Sequence, residues 1–206
     1  MNFSEQIKKA KEDKKPAFFK SLFKNLPNWE SFIGMMDYSF NHSVSEIPLN
    51  HDNRFLINDK NVKFPNTGIS VHPNASYVNY WSLTEKSLDL FPGHKDICKF
   101  INDNMNLGVG GEKSIINFVG NPQEFSIHKD HNDVFSLHSV GKMYYRIYEG
   151  LTEEEEHQTS LPNREYTEYL FEPGDAMYIP EGVFHQVVVT EPRATLIFGC
   201  HIIGGE

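Results

Sequence analysis

Two stretches of this chain carry residue types at spacings that could do chemistry. In Phe125-Ser126-Ile127-His128-Lys129-Asp130 a histidine and an aspartate stand two apart. Side chains two apart on an extended strand point to the same face, so His128 and Asp130 can aim at one point. The second stretch, Gly174-Asp175-Ala176-Met177-Tyr178-Ile179-Pro180-Glu181-Gly182-Val183-Phe184-His185, reads as a strand, a glycine-proline turn and a histidine that opens the next strand. His128, Asp130 and His185 together make a set of two imidazoles and one carboxylate. On one side of an ion such a set leaves open positions opposite, which suits non-haem Fe(II) and oxygen chemistry.

The elements that must position these residues are mostly strands. From Ser114 onward the pattern predicts strands over Ser114–Val119, Phe125–Lys129, Val134–Val140, Lys142–Tyr148, Tyr166–Phe171, Ala176–Ile179, Phe184–Thr190 and Ala194–His201. Eight strands with mostly short connections predict a mainly β fold, a double-sheet jelly-roll barrel. The long connection from Glu149 to Glu165 contains the run Glu153-Glu154-Glu155-Glu156, which reads as solvated surface or as part of a cover over the site. Ahead of the barrel, the spacing predicts a polar amphipathic helix over 3–12, an extended entry at Pro16, and a helix from Trp29 to about Tyr38. From Phe40 to about Leu83, recurring Asn, Pro and Gly predict loop with short strands. Ile97, Phe100 and Ile101 predict a helix over Lys95–Asn104, and Gly108, Gly110 and Gly111 a turn into the sheet.

At 206 residues the chain is expected to be one domain, with an N-terminal helical and loop region over 1–113 packed on a core over 114–206. Sixteen Phe and nine Tyr suit a β-rich interior that can also line a pocket. A formal charge of −9, with no basic cluster outside the first 24 residues, weighs against a nucleic-acid partner. Cys98 and Cys200 are isolated and form no C-x-x-C pair, which fits free thiols in a reducing compartment. The charged N-terminus has no apolar core of a signal peptide, and no run of eighteen apolar residues offers a membrane span, so the expectation is a soluble cytoplasmic protein.

Gly174 to His185 follows the pattern G-x5-P-x-G-x2-H, the second signature of the cupin superfamily, which this chain therefore resembles. The first region adds Asp133-Val134-Phe135, the turn glycine Gly141 and Arg146-Ile147-Tyr148. With Phe171-Glu172-Pro173-Gly174-Asp175, these residues look like the JmjC and ribosomal-oxygenase branch over roughly residues 114–201. The resemblance implies a double-stranded β-helix, Fe(II) held by His128, Asp130 and His185, and 2-oxoglutarate as co-substrate of an oxygen-dependent hydroxylation. Where that branch places a Lys or Arg for the distal carboxylate of 2-oxoglutarate, fifteen residues after the first ligand histidine, this chain has Met143. Lys142 is adjacent, but alternation turns it to the opposite face. Another branch of 2-oxoglutarate oxygenases uses an Arg-x-Ser/Thr pattern, and Arg193-Ala194-Thr195 stands eight residues beyond His185, so Arg193 is the preferred anchor. By parity Asn117 and Tyr145 should face the cavity. His131 and His138 are read as surface or supporting groups.

The implied activity is hydroxylation of a peptide, amino acid or small metabolite. Met143 leaves open a second reading, a metal-binding dioxygenase or isomerase that does not use 2-oxoglutarate, and a non-enzymatic ligand-binding module is a third. Bacterial ribosomal oxygenases continue into further domains, whereas this sequence stops at Glu206, which weighs against a ribosomal protein as substrate. The acidic surface would suit a basic peptide. Oligomeric state stays open, a homodimer included.

Overall fold

The computed structural model describes residues 2–34, 57–58, 61–64, 69–72, 77–81, 94–105, 107–117 and 123–202. In chain order the elements are α1 (Phe3–Asp13), β1 (Ala17–Phe19), a helical segment over 29–34, β2 (Ile57–Asn58), β3 (Asn61–Phe64), β4 (Ile69–His72), β5 (Tyr77–Trp81) and α2 (His94–Met105). Then follow β6 (Leu107–Asn117), β7 (Gln123–Glu124), β8 (Asp133–Val140), β9 (Met143–Tyr148), β10 (Tyr166–Phe171), β11 (Ala176–Ile179), β12 (His185–Val189) and β13 (Arg193–Ile202).

From β6 onward, strands are dealt out between two antiparallel sheets. The larger sheet runs β1-β11-β8-β13-β6-β5-β4-β3-β2 and the smaller β10-β9-β12-β7. This is the expected jelly-roll exchange, with β6, β8, β11 and β13 on one wall and β7, β9, β10 and β12 on the other. Parity decides what each face of the large sheet meets. Phe135, Leu137, Ala176, Tyr178, Ala194, Leu196 and Phe198 face the helices, where Ile7, Ala10, Phe32, Ile97, Ile101 and Met105 cover them. Val134, Met177 and Ile179 face the other way and pack against Met143, Tyr145, Ile147, Val187 and Val189 of the small sheet. Both faces of β8 are thus buried, and β8 carries the polar residues Ser136 and His138 among its inward positions.

The N-terminal helix is specified locally. Asn2 caps it by accepting from the Glu5 amide at 2.9 Å, while Glu5 accepts from the Asn2 amide at 2.8 Å. Lys14, in the left-handed region at φ 53°, closes its other end. Lys11 then reaches Asp133 at 2.8 Å, and this carboxylate also accepts from the Tyr178 hydroxyl and the Glu181 amide. Burial pushes the Asp133 pKa up, but these three donors outweigh it and hold the carboxyl below the usual range. Asn28 likewise caps the segment over 29–34 through the Ser31 amide. The rest of the helix expected there, to Tyr38, lies outside the described residues.

Two expectations need correction. The Gly108–Gly111 region is part of β6, which begins at Leu107 and not at Ser114. Gly111 pairs with Gly199 and Val109 with Cys200, so Gly110 is the extra residue of a bulge, a place in a strand that glycine suits. Phe125–Lys129 is not a regular strand. Phe125 donates to the Val187 carbonyl and His128 exchanges both backbone bonds with His185, so three steps on one side match two on the other. Within the stretch expected to be loop with short strands, the described residues form the short strands β2 to β5, which extend the large sheet as an antiparallel meander. The side chains of Cys98 and Cys200 are outside the described set. Among the described residues no helix is long and apolar enough to cross a membrane.

Candidate metal centre and carboxylate site

The irregular passage from β7 to β8 and the turn into β12 meet at one point. His128, Asp130 and His185 each offer a ligand atom there, and these atoms all lie within 4.8 Å of one another. His185 Nε2 is 3.6 Å from Asp130 Oδ2, and the two imidazole rings are 4.3 Å apart at 56°. In both histidines Nδ1 faces a backbone carbonyl two residues earlier, Ser126 for His128 and Val183 for His185, each at 3.0 Å. A carbonyl only accepts, so Nδ1 carries the proton and the Nε2 lone pair faces the cluster, as metal ligation requires. Burial first, and then the nearby His128, lower the His185 pKa to about 4, so it is neutral at pH 7.

Neighbouring loops fix this geometry. The Gly182 amide, at φ +80° in the turn before β12, donates to the Asp130 carbonyl at 3.0 Å. Ile127 exchanges backbone bonds with Gln158 and His157 at 2.8 and 2.7 Å, so the 149–165 connection lies along the segment that carries His128 and Asp130. Gln186, fully buried, donates to the carbonyls of Phe125 and Thr159 and accepts from Tyr148. The acidic run is only partly plain surface: Glu153 pairs with Lys129, between His128 and Asp130, and Glu155 with Arg164. Lys129 also lies over the Phe184 ring at 5.2 Å. A groove of about 690 Å³ borders the turn that leads into His185, with Lys14, Lys15, Ile147, Leu151, Val183 and Phe184 among its walls.

Deeper in the barrel is a second polar group. Arg193 is 1% exposed, and its Nη1 donates to Thr195 Oγ1 at 2.8 Å. Met143, also buried, brings its sulfur to 3.6 Å from the same hydroxyl. The guanidinium therefore reaches the neighbourhood of the very residue that stands where a Lys or Arg was expected. Tyr145 lies near His185 and within electrostatic reach of both Arg193 and Asp130. Its ring is 5.9 Å from that of His185, its hydroxyl donates to Ser136 at 3.1 Å, and burial raises its pKa.

Of the other expected residues, Lys142 is not brought to the site. It is half exposed and pairs with Glu172 at 3.4 Å, because Met143 takes the inward position of β9. Asn117 pairs with Arg193 across β6 and β13, its side chain being outside the described set. His131 is exposed, whereas His138 is fully buried against Thr195. The sequence reasoning did not single out Ser136, Gln186 or the His138–Thr195 contact. Parity with Val134 could have placed Ser136 and His138 inside, had both faces of β8 not been buried.

A family model for the JmjC domain matches residues 101–204. Among curated proteins none matches in sequence. An X-ray structure of Escherichia coli ycfD aligns over 99% of this chain and 54% of its own at 15% identity and TM-score 0.59. Another, described as the E. coli ribosomal oxygenase YcfD, aligns over 99% and 52% at 14% identity and TM-score 0.60. A YcfD complex with cobalt and 2-oxoglutarate aligns over 93% and 49% at 15% identity and TM-score 0.55. At such identities the likeness carries the fold, and the chain spans about half the length of these structures.

Proposed function

Because the chain belongs to the JmjC domain family, we propose that it is an Fe(II)- and 2-oxoglutarate-dependent oxygenase that hydroxylates a peptide, an amino acid or a small metabolite. The observation that carries this reading is the combination, in one barrel, of the His128–Asp130–His185 cluster with a buried Arg193 beside Met143. YcfD, with the same barrel, holds cobalt and 2-oxoglutarate, and cobalt is a divalent first-row ion with similar ligand preferences to iron.

The donor set fits the metal. Two neutral imidazoles and one carboxylate on a divalent ion leave one net positive charge and open positions, which suit an anionic keto acid. Bound iron supplies the redox chemistry that couples oxidative decarboxylation of 2-oxoglutarate by O2 to hydroxylation of a C–H bond, yielding succinate and CO2. The chain's own residues bind and orient. Asp130 and the two histidines hold the ion, and Arg193 takes the distal carboxylate of the co-substrate. The Tyr145 ring packs near His185 and excludes water, with Asn117 on the adjoining strand. A groove beside Val183 and Phe184, whose walls carry both charged and apolar groups, borders the turn that leads into His185.

The test is conversion of 2-oxoglutarate to succinate by iron-loaded protein in air, followed by NMR. Fe(II)-dependent succinate formation, lost in Asp130→Ala, is the expected result. Fully iron-loaded protein that forms none, with or without candidate substrates, would refute the reading.

A further inference from the structure

The buried hydroxyl of Thr195 stands between groups whose donor and acceptor roles can be ordered in one way. Arg193 has donors only, so its Nη1 must donate to Thr195 Oγ1. The Thr195 proton then has two acceptors in reach, His138 Nδ1 at 3.0 Å and the Met143 sulfur at 3.6 Å. A thioether is a weak acceptor, so the proton goes to His138. With Nδ1 accepting, the ring proton sits on Nε2, which donates to the Gly141 carbonyl at 2.8 Å. A directed chain thus runs from Arg193 through Thr195 and His138 to Gly141, and its three side chains are 0–1% exposed.

Resting on the reading of Arg193 as the co-substrate anchor, we propose that His138 is a positioning residue which, through Thr195, holds the Arg193 guanidinium in place for the 2-oxoglutarate carboxylate. The cause is geometric. His138 fixes the Thr195 hydroxyl rotor, and the rotor decides where the lone pair that receives Arg193 points. If the His138 acceptor is lost, the hydroxyl turns to Met143 and its lone pair no longer points at the Arg193 Nη1, which weakens one of the contacts that orient the guanidinium. The far end of the chain is equally fixed: a Cβ on Gly141 would lie 2.1 Å from the Pro192 carbonyl, so this turn packs directly on the residue that precedes Arg193. Burial, aided by the Arg193 charge, lowers the His138 pKa to about 4 and keeps the ring an acceptor at neutral pH.

The test compares His138→Leu, Thr195→Val, His138→Asn and Arg193→Met by calorimetric binding of 2-oxoglutarate to Mn(II)-loaded protein, with Mn(II) affinity and thermal midpoint measured alongside. Asn places its side-chain oxygen near the Nδ1 position and keeps an acceptor there. His138→Leu and Thr195→Val should each weaken 2-oxoglutarate roughly tenfold. Combining them should cost no more than either alone, because they break one chain. Mn(II) affinity should stay at the wild-type value and His138→Asn should restore most of the binding. A lowered thermal midpoint with unchanged 2-oxoglutarate affinity in His138→Leu and Thr195→Val overturns the proposal and leaves His138 a packing residue. If Arg193→Met weakens binding and His138→Leu does not, the relay falls while the anchor stands. Wild-type protein that holds Mn(II) but never binds 2-oxoglutarate removes both.

Discussion

Acid should destabilise the metal-free protein through His138 well before its carboxylates titrate. The His138 pKa falls from the ordinary 6.5 to about 4, first because of burial and then because of the Arg193 charge, against the pull of Gly141 and Asp175. Between these values the unfolded chain binds a proton that the folded chain refuses, so stability falls as pH falls. The full penalty is about 3 kcal/mol, at 1.36 kcal/mol for each unit, and most of it, about 2.5 kcal/mol, has accrued by pH 4.5. His185 contributes in the same direction when no metal is bound. The two are separated by urea unfolding of wild type and His138→Asn in chelator at pH 7.5 and 4.5. The variant should lose about 2.5 kcal/mol less than wild type over that interval. Equal losses in the two proteins would show that His138 does not titrate as its surroundings require.

Asp130→Ala should abolish tight Mn(II) or Fe(II) binding and leave the thermal midpoint of metal-free protein nearly unchanged, because this side chain is 38% exposed. Gly141→Ala should be far worse than Gly182→Ala, as chemical denaturation would show. Both have φ near +80°, but the first Cβ meets the Pro192 carbonyl at 2.1 Å and the second has nothing within 4 Å. Gly182→Ala should therefore cost only about 1 kcal/mol, the backbone share alone. Lys142→Met should leave 2-oxoglutarate affinity within about twofold, since its exposed pair with Glu172 contributes little. Gln186→Leu should weaken Mn(II) about tenfold by releasing Phe125 and Thr159 from the segment that carries His128 and Asp130, a fall of the size seen when groups supporting metal ligands are removed.

The clustering of His128, Asp130 and His185 was legible because His-x-Asp and G-x5-P-x-G-x2-H put side-chain types at separations that extended chain and a tight turn bring together. The strands β9, β10 and β11 were legible within a residue at each end, as each is bounded by Gly, Pro or a charged loop. The pairing of Phe125–Lys129 was not, since its backbone bonds are divided between β12 and the 149–165 connection, a partner that no local pattern reveals. The glycines of β6 read as a turn because their reason for being there, the bulge against Gly199 and Cys200, lies some ninety residues away. His138 was read as surface or support because a strand buried on both faces shows no alternation to say which face a polar residue takes.

The most direct measurement is the absorbance of anaerobic Fe(II) protein titrated with 2-oxoglutarate. Chelation of the keto acid by iron at His128, Asp130 and His185 should produce a visible metal-to-ligand charge-transfer band. In Arg193→Met the same band should appear only at concentrations roughly tenfold to a hundredfold higher, the loss of one charge-assisted contact of about 1.5–3 kcal/mol. Iron-loaded wild-type protein that shows no band at millimolar 2-oxoglutarate would contradict the account.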